Sequence, residues 1–281
     1  MAGYLDLDDV VLSRAAHARR VDGVSLLEAV AWWAGEPHSD HPACVSPALA
    51  TFARAWADAL GDDDRQRLKE WVPQLAGTAG DGGDRQRALL LADWLARACA
   101  PAFLRLAGLA TEARQLEQAA AVTGWEHAVG IHRPLDRAHA AARRALAAAW
   151  AASPAASDAP QVADGAARLA GATAAAAALD AALVAPGQGV DLTGALVRAL
   201  AAEQAGAAPD VVAAALGDVC TLALHTARAT AADVVSMAAL AAALAAPPDA
   251  AWLELRPAVR AQQASALDLL GRLCAAGKVA V

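Results

Sequence analysis

Ser46-Pro47-Ala48-Leu49-Ala50-Thr51-Phe52-Ala53-Arg54-Ala55-Trp56-Ala57-Asp58-Ala59-Leu60-Gly61 reads as a complete amphipathic helix with both of its ends marked. Ser46 is placed as an N-cap, and Pro47 follows at the first helical position, where its missing N–H costs nothing. Leu49, Phe52, Ala53, Trp56 and Leu60 recur at spacings of three and four, which lines one face with apolar side chains. Gly61 supplies a stop.

The same punctuation extends in both directions. Upstream, Ser25-Leu26-Leu27-Glu28 is a capping box, in which the serine hydroxyl takes the N3 amide and the glutamate reaches back. The helix it opens, LLEAVAWWA, should end at Gly35 in a left-handed cap. Downstream, Asp62 to Asp64 begin a helix that Pro73 kinks or ends. GTAGDGGD at 77–84 reads as an exposed loop with Asp84 capping the next helix. There Leu89, Leu90, Trp94 and Leu95 form a buried stripe until Pro101 interrupts. Further helices are expected over 111–123, 134–152, 161–185, 192–205, 209–229, 231–245 and 257–275. No run shows the period-two alternation of a strand. The expected fold is all-α, a multi-helix bundle or an irregular α-solenoid-like array.

Composition divides the chain. Seven of the eight tryptophans (Trp32, Trp33, Trp56, Trp71, Trp94, Trp125, Trp150) precede a Ser/Pro/Ala connector at 153–160, and only Trp252 follows it. Residues 1–152 therefore read as a Trp/Leu-rich helical region and 161–281 as an Ala-rich one, either two units or one continuous domain. Alanine is the best helix former but buries little area per residue. Arg168, Arg198 and Arg228 recur at intervals of 30, about the period of a helical-hairpin repeat, though no recurrent large apolar residue accompanies them.

Charge and cysteine usage bound the function. The net charge is −7 with a pI near 5.4, and Arg14, Arg19, Arg20, Arg143 and Arg144 do not make the basic surface that nucleic acid requires. Lys69 and Lys278 are the only lysines among 23 basic residues, a bias that, with the alanine excess, points to a GC-rich genome. Cys44, Cys99, Cys220 and Cys274 form no C-x-x-C pair, so neither a zinc ribbon nor a disulfide framework is expected. Residues 1–20 carry Asp6, Asp8 and Asp9 without an apolar core, so no signal peptide is expected. The longest charge-free stretch, 234–248, falls short of the about 20 residues that span a bilayer. The expected setting is cytoplasmic, with no nucleic-acid or membrane partner.

One loop could carry chemistry. Glu36-Pro37-His38-Ser39-Asp40-His41-Pro42-Ala43-Cys44 gathers two imidazoles, two carboxylates and a thiol, the side chains that bind Zn²⁺ or Fe. As a metal site it would use His38, His41 and Cys44 as ligands, with Asp40 as a fourth ligand or as an acceptor orienting an imidazole. As an ordinary turn it would use Ser39 and Asp40 to bond nearby amides, with Cys44 a small hydrophobe. The spacing matches no standard zinc site, and the turn is the stronger reading. His132, Asp136 and His139 would share a helix face only if the helix began before Pro134, which instead reads as N1. His17, His127 and His225 stand alone in the sequence. Asp93 and Arg97 are spaced as an i,i+4 pair, weak if exposed and register-fixing if buried. No G-x-S-x-G, phosphate loop, G-x-G-x-x-G or H-E-x-x-H occurs, so whether the chain is an enzyme stays open.

The run GEPHSDHPACVSP, with FARAWADAL, RLKEWVPQLAGTAG and the C-terminal QASALDLLGRL, resembles a group of uncharacterised Ala-rich all-helical proteins of actinomycete-type bacteria. The likeness covers most of the first 120 residues and the last helix. It implies an all-α fold in a bacterial cytosol and attaches no activity. Two function classes follow: a helical protein-interaction or scaffold protein with a protein partner, and a metal-dependent, hydrolase-like enzyme on the 38–44 loop. A smaller third option is an apolar small-molecule binder between the Trp-bearing helices.

Overall fold

The punctuated segments form helices, and the chain is all-α. The computed structural model describes residues 6–153, 158–182, 192–247 and 250–277, among which an isolated bridge between Leu12 and Val24 is the only β pairing.

α1 (Leu26–Trp33) opens with the capping box complete: Ser25 Oγ accepts from Glu28 N at 3.3 Å, and the Glu28 carboxylate accepts from Ser25 N at 2.7 Å. It closes in a Schellman turn, where Gly35 at φ +75° lets its N–H reach Trp32 O and that of Glu36 reach Ala31 O. α2 (Pro47–Ala59) has Pro47 at N1, but Ser46 does not cap it. The Ser46 hydroxyl donates to Asp84 Oδ1 at 2.6 Å instead, a charge-assisted bond that is stronger than a neutral cap. Arg65, on α3 (Asp62–Gln66), is buried and donates to Ala57 O and Leu60 O, so a cation meets the carbonyl end of α2. A 3₁₀ turn (Arg67–Trp71) and α4 (Val72–Leu75) follow; Pro73 lies in the first turn of α4, where it starts a helix rather than kinks one.

α5 (Asp84–Trp94) and α6 (Ala100–Leu106) are joined through a π-turn (Leu95–Cys99), so Pro101 does not interrupt the run as the sequence led us to expect. The widened turn changes register just before a residue that has no N–H to give. α7 (Ala110–Glu117) and α8 (Trp125–Gly130) lead to α9 (His132–Ala152). α9 starts before Pro134, which sits among the first four positions, where no intrahelical donor is needed.

The C-terminal half departs most from expectation. The helix expected over 161–185 is broken into α10 (Ala159–Leu169) and α11 (Ala172–Ala182) by Gly171 at φ +82°. α12 (Leu192–Gln204) precedes α13 (Pro209–Ala245), one unbroken helix where two were expected. α14 (Ala251–Ala275) starts upstream of Pro257 and carries that proline inside it. A 37-residue helix is incompatible with a 30-residue hairpin repeat. Arg168 and Arg228 also differ in setting, the first exposed beside Asp164 and the second three-quarters buried beside Asp180.

α13 is the axis of the body. It packs most extensively against α9 and α12, then against α10, α6 and α8, while α11 wedges between α2, α5 and α13. Buried residues from Val10 to Cys274 form one cluster across both compositional regions. Two tryptophans of the first region also donate into the second: Trp94 Nε1 to Ser265 Oγ at 2.7 Å and Trp56 Nε1 to Leu169 O at 3.4 Å. Ala199 and Val219 form a separate small cluster between α12 and the N-terminal part of α13. By length and composition Asp218–Ala245 could cross a membrane, an 18-residue stretch of it having a mean hydropathy of 1.4, but more than half of that stretch is buried inside the protein.

Arg87 on α5 is fully buried and joins three segments. Its Nε donates to Leu273 O at 3.0 Å, and its Nη1 donates to Asp81 Oδ1 at 2.7 Å and to Asp84 Oδ1 at 3.2 Å. Breaking a buried pair by removing one partner costs about 3–5 kcal/mol. We expect Arg87→Met to lower unfolding stability by that amount, read as a drop in the urea midpoint at unchanged slope.

Candidate functional site

Two imidazoles converge on the buried carboxylate of Glu28, which the sequence presented only as half of a capping box. Residues 6–24 lie across α1 and α2 and are fastened at intervals. Gln66 bonds both N–H and C=O of Leu12, Ser13 N donates to Val24 O, and Asp58 accepts from Ala15 N. This strap brings His17 onto Glu28. The Glu28 carboxylate, 1% exposed, accepts from the amides of Ser25 and His17 and lies 3.0 Å from His17 Nδ1. His38 approaches from the other side, its Nε2 3.1 Å from His17 O and 3.6 Å from Glu28 Oε1. His38 Nδ1 is buried with no hydrogen-bond partner.

His17 Nε2 lies 3.2 Å from Ser13 Oγ. Hydroxyl, imidazole and carboxylate thus follow one another in the order of a nucleophilic relay. Two features direct this chain to structure instead. Ser13 Oγ accepts the Val24 N–H at 3.0 Å, and Gly23 lies over the hydroxyl and the ring. A Cβ at Gly23 would come within 2.5 Å of His17 Nε2 and 2.8 Å of Ser13 Oγ, so no acyl group can enter there; at φ +146° the position also disfavours a side chain. The arrangement is a clasp that pins the strap to the first helix.

The four loop residues singled out in the sequence point in separate directions. His38 belongs to the Glu28 clasp. Asp40 lies 3.3 Å from Arg54 Nε on α2 and 2.6 Å from His41 Nδ1, and the His41 ring is largely exposed. Cys44 sits beside Glu36, whose carboxylate accepts the amides of Ala43 and Cys44. Burial and the Glu36 carboxylate push the Cys44 thiol up, away from the thiolate form that binds metals. Among the described residues no group of three or more His, Cys, Asp or Glu side chains is placed to hold an ion.

The second sequence candidate is likewise spread out. His132 Nε2 lies 3.1 Å from Ala223 O, and burial pushes its pKa down despite that bond and the nearby Asp136. His139 faces Asp233 at 3.9 Å. Asp93 does more than pair with Arg97 at 2.9 Å: its Oδ1 also accepts Val122 N, tying down the segment after α7. His225 shares Asp180 with Arg228. Neither His17 nor His225 stands alone, but their carboxylate partners are 11 and 45 residues away, too far for spacing to reveal.

No protein-family model, curated protein or solved structure matches this chain.

Burial opposes the charge on Glu28, but the amides of His17 and Ser25 and the His17 ring outweigh it, holding the carboxyl below its ordinary 4.5. The unfolded chain therefore takes up this proton more readily than the folded one. The stability that Glu28 contributes is complete above about pH 4.5 and is lost as pH falls through the folded value beneath it. Glu28→Gln should cost about 1–3 kcal/mol at neutral pH and flatten the acid limb of a thermal-midpoint profile between neutrality and pH 3.

Proposed function

We propose that this chain is a helical protein-interaction or scaffold protein of the bacterial cytoplasm, and that the α12–α13 hairpin is its docking element. The observation behind this reading is a set of apolar side chains that the described residues leave more than half exposed: Val197 and Leu200, three residues apart on α12, and Val211 on α13. The hairpin keeps its own small core, apart from that of the body. Exposed Glu203, Asp210 and Asp218 lie on the same two helices, which favours an amphipathic helix with a basic flank as the partner. An acidic chain with free cysteines fits a protein partner in a reducing compartment better than nucleic acid or an anionic lipid surface.

The test uses two fluorescent synthetic helices, one with a leucine face and lysine flanks, the other with glutamate flanks. The lysine peptide should bind the full chain, and Val197→Ser with Leu200→Ser should weaken it at least about tenfold, a loss of about 1.4 kcal/mol, without changing the helical circular-dichroism signal. Equal binding by the double variant, or by the glutamate peptide, would overturn the reading.

A second reading, a metal-dependent hydrolase on the 38–44 loop, has one observation in its favour, the unpartnered buried Nδ1 of His38. It requires Asp40 to leave Arg54 and Cys44 to ionise beside Glu36. Elemental analysis of tag-free protein with a Zn²⁺ titration decides it. Stoichiometric metal lost in His38→Ala supports the enzyme, and metal-free protein that takes up no zinc removes it.

A further inference from the structure

A cleft of about 290 Å³ opens between α11 and the C-terminal half of α13, away from both the Glu28 clasp and the α12–α13 hairpin. Its walls are mostly short apolar side chains, Ala172 and Ala176 from α11 with Ala232 and Val235 from α13, and each helix adds one hydroxyl, Thr173 and Ser236. Methyl groups on successive turns of facing helices leave a space that no side chain of the described residues fills. One charged pair stands in its lining, Asp180 and Arg228.

The pair is incompletely matched. Arg228 Nε comes within 2.9 Å of Asp180 Oδ1, yet that approach is not aligned as a hydrogen bond, and the nitrogen is buried without an aligned partner. The attraction is therefore coulombic rather than a fork-to-carboxylate fit. His225 Nδ1 leans on the same carboxylate at 3.4 Å, and its Nε2 is also buried and unpartnered. Two basic side chains thus share Oδ1 of one half-exposed carboxylate, and no hydrogen bond to a described residue engages the guanidinium, which leaves its donors for another acceptor. A planar guanidinium recognises carboxylates through two parallel N–H bonds, and an apolar pocket with one such group is the usual form of a small-ligand site.

We infer that this cleft binds a small monocarboxylate, its hydrocarbon body lying among the alanines and its carboxylate on the free edge of Arg228. The inference goes beyond the docking role and uses none of its residues. The cleft volume limits the body to a short aliphatic chain or a single aromatic ring. Of the two hydroxyls, Thr173 and Ser236, the second already donates to Ala232 O at 3.0 Å, and Arg228 is the one cationic donor in the lining, so charge decides which ligand is retained.

Calorimetric titration of the full chain with sodium hexanoate and sodium benzoate, with hexanamide as the uncharged control, tests this. At least one carboxylate should bind and the amide should not. Arg228→Gln should weaken binding at least about tenfold. Should that variant lose its fold, Ala232→Leu, which fills the cleft without touching the charge, should abolish binding at an unchanged thermal midpoint. Absence of binding up to about 10 mM carboxylate, hexanamide binding as well as hexanoate, or undiminished binding by folded Arg228→Gln or Ala232→Leu would each overturn the inference.

Discussion

The fold depends on how closely other helices approach α13. Buried alanines along that helix, among them Ala223, Ala227, Ala231, Ala238 and Ala242, let neighbouring backbones come nearer than leucine would allow. Each such contact removes little apolar surface from water, at about 25 cal/mol per Å². A core of this kind gains through many shallow contacts. The large buried side chains, Phe52, Trp56 and Phe103, lie in the other half of the chain, and α11 joins the two by packing its alanines against α2 and α5. Gly171 lies next to Trp56 at this junction, with an added Cβ placed 3.6 Å from the indole, so the turn between α10 and α11 and the largest buried ring have adapted to each other.

Where apolar area is scarce, buried polar groups hold the periphery. Arg65 closes the carbonyl end of α2, Arg87 binds the 77–84 loop to α14, and Glu28 fastens the N-terminal strap. Each is almost fully buried, and each has several partners, which is the condition under which a buried charge contributes to order rather than subtracting from it. The same economy explains why side chains that looked capable of chemistry are engaged elsewhere. Asp40, His38 and Asp93 each hold a backbone or side-chain partner from another segment.

Helix type was legible from residue order because local rules set it: the Ser25–Glu28 box, the Gly35 cap and the apolar face of α2 all formed as read. Helix joints were less legible. Gly171 looked like any glycine in an alanine run, and only its positive φ makes it a break. Conversely, Pro101, Pro134 and Pro257 looked like boundaries, yet a π-turn takes up the first, the first helical turn excuses the second, and α14 carries the third within its length. The Glu28 clasp was hidden for another reason. A capping glutamate has a spare lone pair, and which imidazole takes it depends on how the strap returns across α1. The crowded 36–44 loop misled in the opposite sense, because closeness in sequence did not bring its donors to a common point.

The π-turn at Leu95–Cys99 has a consequence for how this chain tolerates insertions and deletions. It behaves as one surplus residue within an otherwise continuous helix, and at 3.6 residues per turn one residue rotates everything beyond it by about 100°. Leu91 and Trp94 before the turn, and Phe103 and Leu104 after it, are all buried in the same core. Deleting a residue there would restore a regular α-helix and at the same time swing Phe103 and Leu104 out of phase with their neighbours. The irregular turn therefore sets the rotational alignment between two stretches of one helix, and local regularity is given up to keep both on the same side.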